Sequence, residues 1–248
     1  MAAIGSPDWV AETNGALGLR DQVRFVAQAI VRELAPRRGG GAVLAADRTP
    51  PSTAIAQHVT DFARTVLPAP LLHHSMRSWL WACMLADLDR IEYDDERLYV
   101  AALLHDVALS DSHRPGPVAA CFAVHGATVA RDVVIGAGGG AAFADDVADA
   151  IAAHFNVAVP LSWGAEAHLL HAGTHLDVVG LRRLEIARSS VDEVHAREPR
   201  AGFAGHFLAA MREEGRLRKS SRAGLLWRLG MERSVRRAER AVACEDQP

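Results

Sequence analysis

The sequence holds a single lysine, Lys219, beside many arginines, and its 27 basic residues are outnumbered by 30 acidic ones, for a net charge of −3. A dedicated nucleic-acid binder usually carries a strong basic excess, so that class is disfavoured. With so much alanine alongside, the preference for arginine reads as coding bias rather than function. The three cysteines, Cys83, Cys121 and Cys244, form no CxxC pair. They suggest a reducing compartment and no disulfide framework. No run of about 18 apolar residues occurs, so no membrane span is expected. The start, MAAIGSPDWV, lacks a basic stretch followed by a long apolar run, so no signal peptide is expected and the cytoplasm is the default location. Alternating β-branched runs are also missing; AVLAA at 42–46 is too short to count as a strand. The glycine run GAGGG at 136–140 has neither a strand before it nor a Lys-Ser/Thr after it, so it is not a phosphate cradle.

What is present is helical periodicity in a chain of 248 residues, half of them hydrophobic. RDQVRFVAQAIVREL (20–34) sets Val23, Ala27, Ile30 and Val31 on one apolar face, and RRGGG (37–41) breaks the chain after it. Proline and Ser/Thr capping signals open the next helical pattern at TPPST. Further helices are expected from about 73 to 88, 94 to 107, 145 to 154 and 165 to 179, with a loop at HRPGP (113–117) and a loop-into-helix over VAACFAVHGATVARDVVI. The acids that begin the 94–107 segment suit a helix N-terminus. The tail from 200 to 243 is mostly helical and rich in Arg and Glu. The fold class is all-α, a helical bundle, divided into an N-terminal helical extension (1–50), a main domain (51–210) and a C-terminal helical tail (211–248).

Twelve histidines stand in the chain, and their placement carries the chemistry. His74, the adjacent pair His105 and Asp106, His125, His154 and Asp177 each lie on or beside an apolar helical stretch, in different elements. Helices packed as a bundle can aim such side chains at one interior point. Imidazole nitrogen and carboxylate oxygen suit Zn²⁺, Fe²⁺ or Mn²⁺. Without cysteine ligands, an open catalytic site fits better than a closed structural one. The alternative is that these are core or capping residues satisfied by hydrogen bonds. His171 and His175, four apart, face the same way and are further candidates for the surroundings of such a site. His73 should point away from His74, and His58, His113, His168, His195 and His206 read as surface or packing residues. Arg77, three residues after His74, shares its face and could orient a substrate or steady negative charge; an ordinary ion pair is the rival. Trp79, Trp81 and Phe122 read mainly as core, with Phe122 beside the expected mouth.

The order His74, His105-Asp106, Asp177 resembles the HD-domain superfamily of metal-dependent hydrolases. LLHHSMRSWLWA, YDDERLYVAALLHDVAL, CFAVHGATVARD, AIAAH, HAGTHLDVVG and PRAGF look like its cyanamide hydratase-like branch, over roughly 50–210. The resemblance implies an all-α HD-domain bundle holding a divalent metal, Zn²⁺ or Fe²⁺ above all, on His74, His105, Asp106 and Asp177. It implies a hydratase or hydrolase that adds metal-activated water to a small nitrogen-containing substrate; Asp106, able to take a proton from that water, and Arg77, on the face of His74, are the candidate catalytic residues. The branch usually carries an acid where His125 stands. That departure makes the set with His125 and His154 similar to HD proteins holding two metals, so one ion or two stays open. A phosphohydrolase acting on a nucleotide or phosphate ester and a di-iron oxygenase are the alternative reactions, and a helical binding module with a degenerate site is the non-enzymatic one. A small-molecule substrate is the expected partner, with neither nucleic acid nor membrane; a homo-oligomer stays open. In the tail, Leu225, Leu226, Leu229 and Val235 fit one stripe that closes on the chain's own domain or docks a partner.

Overall fold

The structure is a computed structural model that describes residues 2–34 and 39–245, with the backbone alone for 243–245. The expected chain break falls partly on Arg37 and Arg38, and the third cysteine is Cys244; these lie outside the described residues and side chains. Twelve α-helices follow in order: α1 (Pro7–Thr13), α2 (Leu19–Leu34), α3 (Ala54–Val66), α4 (Ala69–Asp89), α5 (Asp95–Leu104), α6 (Phe122–Gly136), α7 (Ala141–Ala153), α8 (Ala165–Val179), α9 (Arg188–Arg197), α10 (Phe203–Leu217), α11 (Arg222–Arg228) and α12 (Met231–Glu245). Among the described residues the only β pairing is one isolated parallel bridge, Ala42 to Ile186. No helix among them is long and apolar enough to cross a membrane.

Local signals fix several boundaries. Thr53 caps α3 by accepting from the Ala56 N–H, and Asp94 caps α5 by accepting from the Arg97 N–H. Asp95 and Glu96 then occupy the first turn of α5, where the helix dipole favours acids. Two helices form the centre. α4 and α5 are buried on nearly every side, which is why neither shows a clean amphipathic stripe. α8 packs along α4 at very close range: a Cβ placed on Gly173 would lie 2.3 Å from the Ser78 carbonyl oxygen of α4. Only a residue without a side chain permits that approach.

Three expectations are corrected. α4 begins at Ala69 instead of 73, because Pro68 and Pro70 suit a helix start. α5 stops at Leu104 instead of running to Val107. His105 is its C-cap, Asp106 leaves helical geometry, and a 3₁₀ turn follows over Val107–Leu109. In α2 the aliphatic face is not the buried one: Val23, Ile30 and Val31 are 67%, 52% and 69% exposed, whereas Phe25 is fully buried. The single aromatic ring fills a gap among Ile4, Trp9, Leu17, Val157 and Leu225, and that sets the rotation of the helix. The tail is broken into α10, α11 and α12 and closes largely on its own chain, with Leu225 and Val235 buried and Leu229 half exposed.

Candidate metal centre

His74 comes from the middle of α4, and His105 and Asp106 from the end of α5. One ligand atom from each lies within 4.8 Å of the others, the one group of three or more such side chains found among the described residues. All three are 1% exposed. The two imidazole Nε2 atoms of His74 and His105 approach to 3.2 Å. Asp106 Oδ2 lies 3.3 Å from His105 Nε2 and 3.6 Å from His74 Nε2. His154, the C-cap of α7, brings its Nε2 to 3.7 Å from the other oxygen, Asp106 Oδ1. That oxygen is buried with no hydrogen-bond partner.

The opposite edge of each ring explains this convergence. His74 Nδ1 faces Asp177 Oδ2 at 2.7 Å. His105 Nδ1 faces the Ala102 carbonyl at 2.7 Å, and His154 Nδ1 the Ile151 carbonyl at 2.6 Å. Carbonyls and ionised carboxylates only accept, so each Nδ1 must carry the proton and donate it. Each neutral ring is therefore left with an unprotonated Nε2. With all three rings neutral, three Nε2 lone pairs and a carboxylate face one another in a dry interior, an arrangement that a bound cation would satisfy. Donor atoms sharing one ion at bond lengths of about 2.1 Å stand about 3.0–3.4 Å apart; separations of 3.2 and 3.3 Å fall in that range and 3.6 Å lies just beyond it, close to what a divalent metal requires. Orientation of a ligand imidazole through its other nitrogen is the usual support for such a site.

Charge in the group centres on Asp106 and, with no ion bound, favours a proton on His105. Burial opposes ionisation of Asp106, but His105, His74 and His154 around it outweigh burial and hold the carboxyl well below its usual range. Burial pushes His105 down, yet Asp106 and the Ala102 carbonyl more than offset it, so its pKa is raised. Burial and the neighbouring His105 hold His154 down at about 3.

Asp177 stands one step behind. Its Oδ1 accepts from Arg77 Nε at 2.8 Å, Trp81 Nε1 at 3.0 Å and Arg200 Nη1 at 3.0 Å, and its Oδ2 accepts from His74 Nδ1 at 2.7 Å and Arg77 Nη2 at 2.9 Å. Burial raises its pKa, but Arg77, Arg200 and His74 outweigh burial and keep it well below the carboxylate norm. Arg77 also donates to the Glu198 and Pro199 carbonyls, so its guanidinium is turned to Asp177 and the backbone. His125 is only partly buried, and among the described residues no hydrogen bond or ion pair joins its ring to this group. His73 turns away to Glu198. His171 donates from Nδ1 to the His154 carbonyl at 3.1 Å, and its ring lies 4.0 Å from that of His175. Phe203 stacks on His74 at 4.5 Å between ring centres, with Phe207 beyond it, and Phe122 lies 6.0 Å from His154.

Trp81 and Arg200 were not anticipated as partners of Asp177. The signal for Trp81 was available: residues 74, 77 and 81 share one helix face. Arg200 lies in the PRAGF segment, remote in sequence, and nothing local marks it.

A scan against family models matches the HD domain over residues 71–196. The chain belongs to the HD-domain family. It is also 29% identical over 168 residues to the cyanamide hydratase DDI2 of Saccharomyces cerevisiae, covering 66% of this chain and 74% of that protein. DDI3 of the same yeast, likewise a cyanamide hydratase, matches to the same extent. Membership of this family and the buried His/Asp group support a metal-dependent enzyme.

Proposed function

We propose that this HD-domain protein is a hydratase or hydrolase that adds water to a small nitrogen-containing compound with an electrophilic carbon, of the cyanamide or nitrile type. The observation that carries the proposal is the convergence of three lone-pair-bearing Nε2 atoms on the Asp106 carboxylate, with every Nδ1 committed elsewhere. The likeness to two cyanamide hydratases supports the substrate class.

His74, His105 and Asp106 would hold one divalent ion, Zn²⁺ or Fe²⁺ by donor chemistry, with His154 as the fourth donor. When bound, such an ion lowers the pKa of a water toward neutrality. Asp106 would help hold the ion, and its Oδ1, buried with no hydrogen-bond partner, would be the atom to accept a proton from the attacking water. The water oxygen bonds to the carbon of C≡N as one C–N π bond breaks toward nitrogen, the nitrogen takes the proton back from Asp106, and tautomerisation of the resulting isourea gives urea. We read Asp177 as the residue that fixes the His74 tautomer and tilt, and Arg77 as the residue that fixes Asp177. This differs from Asp177 as a direct ligand and Arg77 as a group facing substrate. Phe203, Phe207 and Phe122 wall the centre, which suits a small substrate lacking charge.

The rival reactions fit less well. A phosphate ester calls for cations facing the substrate, whereas Arg77 and Arg200 beside this centre are turned to Asp177. A di-iron oxygenase calls for a second ligand set, and His125 is not joined to the group. Metal-loaded protein incubated with cyanamide and a panel of nitriles should form urea or the amides, and Asp106→Asn should form neither. No turnover on that panel, with phosphate release from nucleotides instead, would overturn the proposal.

A further inference from the structure

The HD domain matches 71–196, yet both flanking parts of the chain meet on the turn that carries His154. α7 ends at Ala153, and Asn156 follows His154 by two residues. The Asn156 side chain is buried and used at both ends. Its Nδ2 donates to the Ile4 carbonyl at 3.0 Å, and its Oδ1 accepts from Arg222 Nη1 at 2.6 Å. Gly5 has φ +80° and presses on it; a Cβ there would lie 2.2 Å from Asn156 Nδ2. Arg222, at the start of α11, is 0% exposed. Among the described residues no carboxylate pairs with it. Its other contacts are Cys121 Sγ at 3.4 Å, just ahead of Phe122, and the Trp9 ring at 5.5 Å, while its Nε has no partner.

A buried guanidinium without a counter-charge costs free energy that a hydrophobic side chain of similar size would not. Terminal segments needing only to pack would be served better by such a side chain. What Arg222 adds is direction: it fixes Asn156, and through two peptide units fixes the turn from which His154 projects.

We propose that Arg222 and Asn156 are positioning residues for His154, a latch closed by the two terminal extensions that sets the His154 ring against Asp106. This rests on reading His154 as a donor to the metal. The test uses the full chain loaded with Co²⁺, whose visible absorption reports ligand number and geometry. His154→Ala should change the spectrum and weaken Co²⁺ binding. Arg222→Met and Asn156→Ala should each shift the spectrum in the same direction and weaken binding about tenfold, at the lower end of the effect expected for outer partners of a ligand. Neither should add to the effect of His154→Ala when the two are combined. Wild-type spectrum and affinity in Arg222→Met and Asn156→Ala, whatever their thermal stability, overturn the latch alone. Should Arg222→Met fail to fold, Asn156→Ala decides by the same readings. An unaltered spectrum and affinity in His154→Ala overturn both the latch and the reading of His154 as a donor.

Discussion

Asp177 accepts hydrogen bonds from two arginines, a tryptophan and a histidine in a fully buried setting. Every one of its partners donates. Replacing it by asparagine would turn an NH₂ group toward those donors and remove the charge that balances Arg77 and Arg200. His74 would then lose the acceptor that keeps its proton on Nδ1. Asp177→Asn is expected to weaken metal binding about 10- to 100-fold, the range for losing the partner of a ligand imidazole, measured by competition with a chelator. Unchanged affinity would contradict the orienting role; a site that no longer takes metal would indicate direct ligation. Arg77→Leu leaves Asp177 in a buried setting with one cation fewer, and breaking such a pair costs about 3–5 kcal/mol, readable by urea unfolding.

At the scale of elements, the crossing of α4 and α8 decides whether His74 and Asp177 meet. Gly173 lies one turn before Asp177 and directly against Ser78 and Ala82 of α4, where a Cβ would come within 3.1 Å of three atoms, one of them a backbone carbonyl at 2.3 Å. Gly173→Ala should push the helices apart, cost at least about 1–3 kcal/mol as overpacking does, and weaken metal binding as well. Wild-type stability and affinity in that variant would contradict the close crossing. The helices themselves were legible in the sequence, because capping residues, glycines and 3.6-residue periodicity are local. The assembly of His74, His105 and Asp106 was legible from their order and surroundings. The partners of Asp177 were half legible: Arg77 and Trp81 share a helix face with His74, but Arg200 arrives from a distant segment. The rotation of α2 was not legible, since its aliphatic stripe is regular and only the pocket formed by Trp9, Leu17 and Leu225 favours Phe25. The end of α5 at Leu104 was obscured by a helical pattern that continues past it, whereas the site needs His105 and Asp106 at a turn where both can aim at one point.

At the scale of the molecule, partly buried neutral histidines make folding sensitive to acid. Burial lowers His175 and His195 to about 4 each, helped by Arg32 at the first and by Arg200 at the second. In the unfolded chain each takes up a proton near pH 6.5, while in the folded chain each stays neutral down to about 4. The unfolded state therefore binds more protons across that window. Stability is undiminished by these groups above about pH 6.5 and falls as pH drops toward 4, by up to about 1.4 kcal/mol per pH unit for each histidine. Urea unfolding at a series of pH values should show this slope, and His175→Leu should reduce it by one proton; an unchanged slope would place that histidine outside the linkage. A single ion held where α4, α5 and α7 converge is tested most directly by metal analysis of protein purified without chelator. One equivalent of a divalent metal per chain is expected in the wild type, lost in both His105→Ala and Asp106→Ala with helical content retained. Full occupancy in both variants, or a wild-type protein that takes up no divalent ion when offered one, would contradict it.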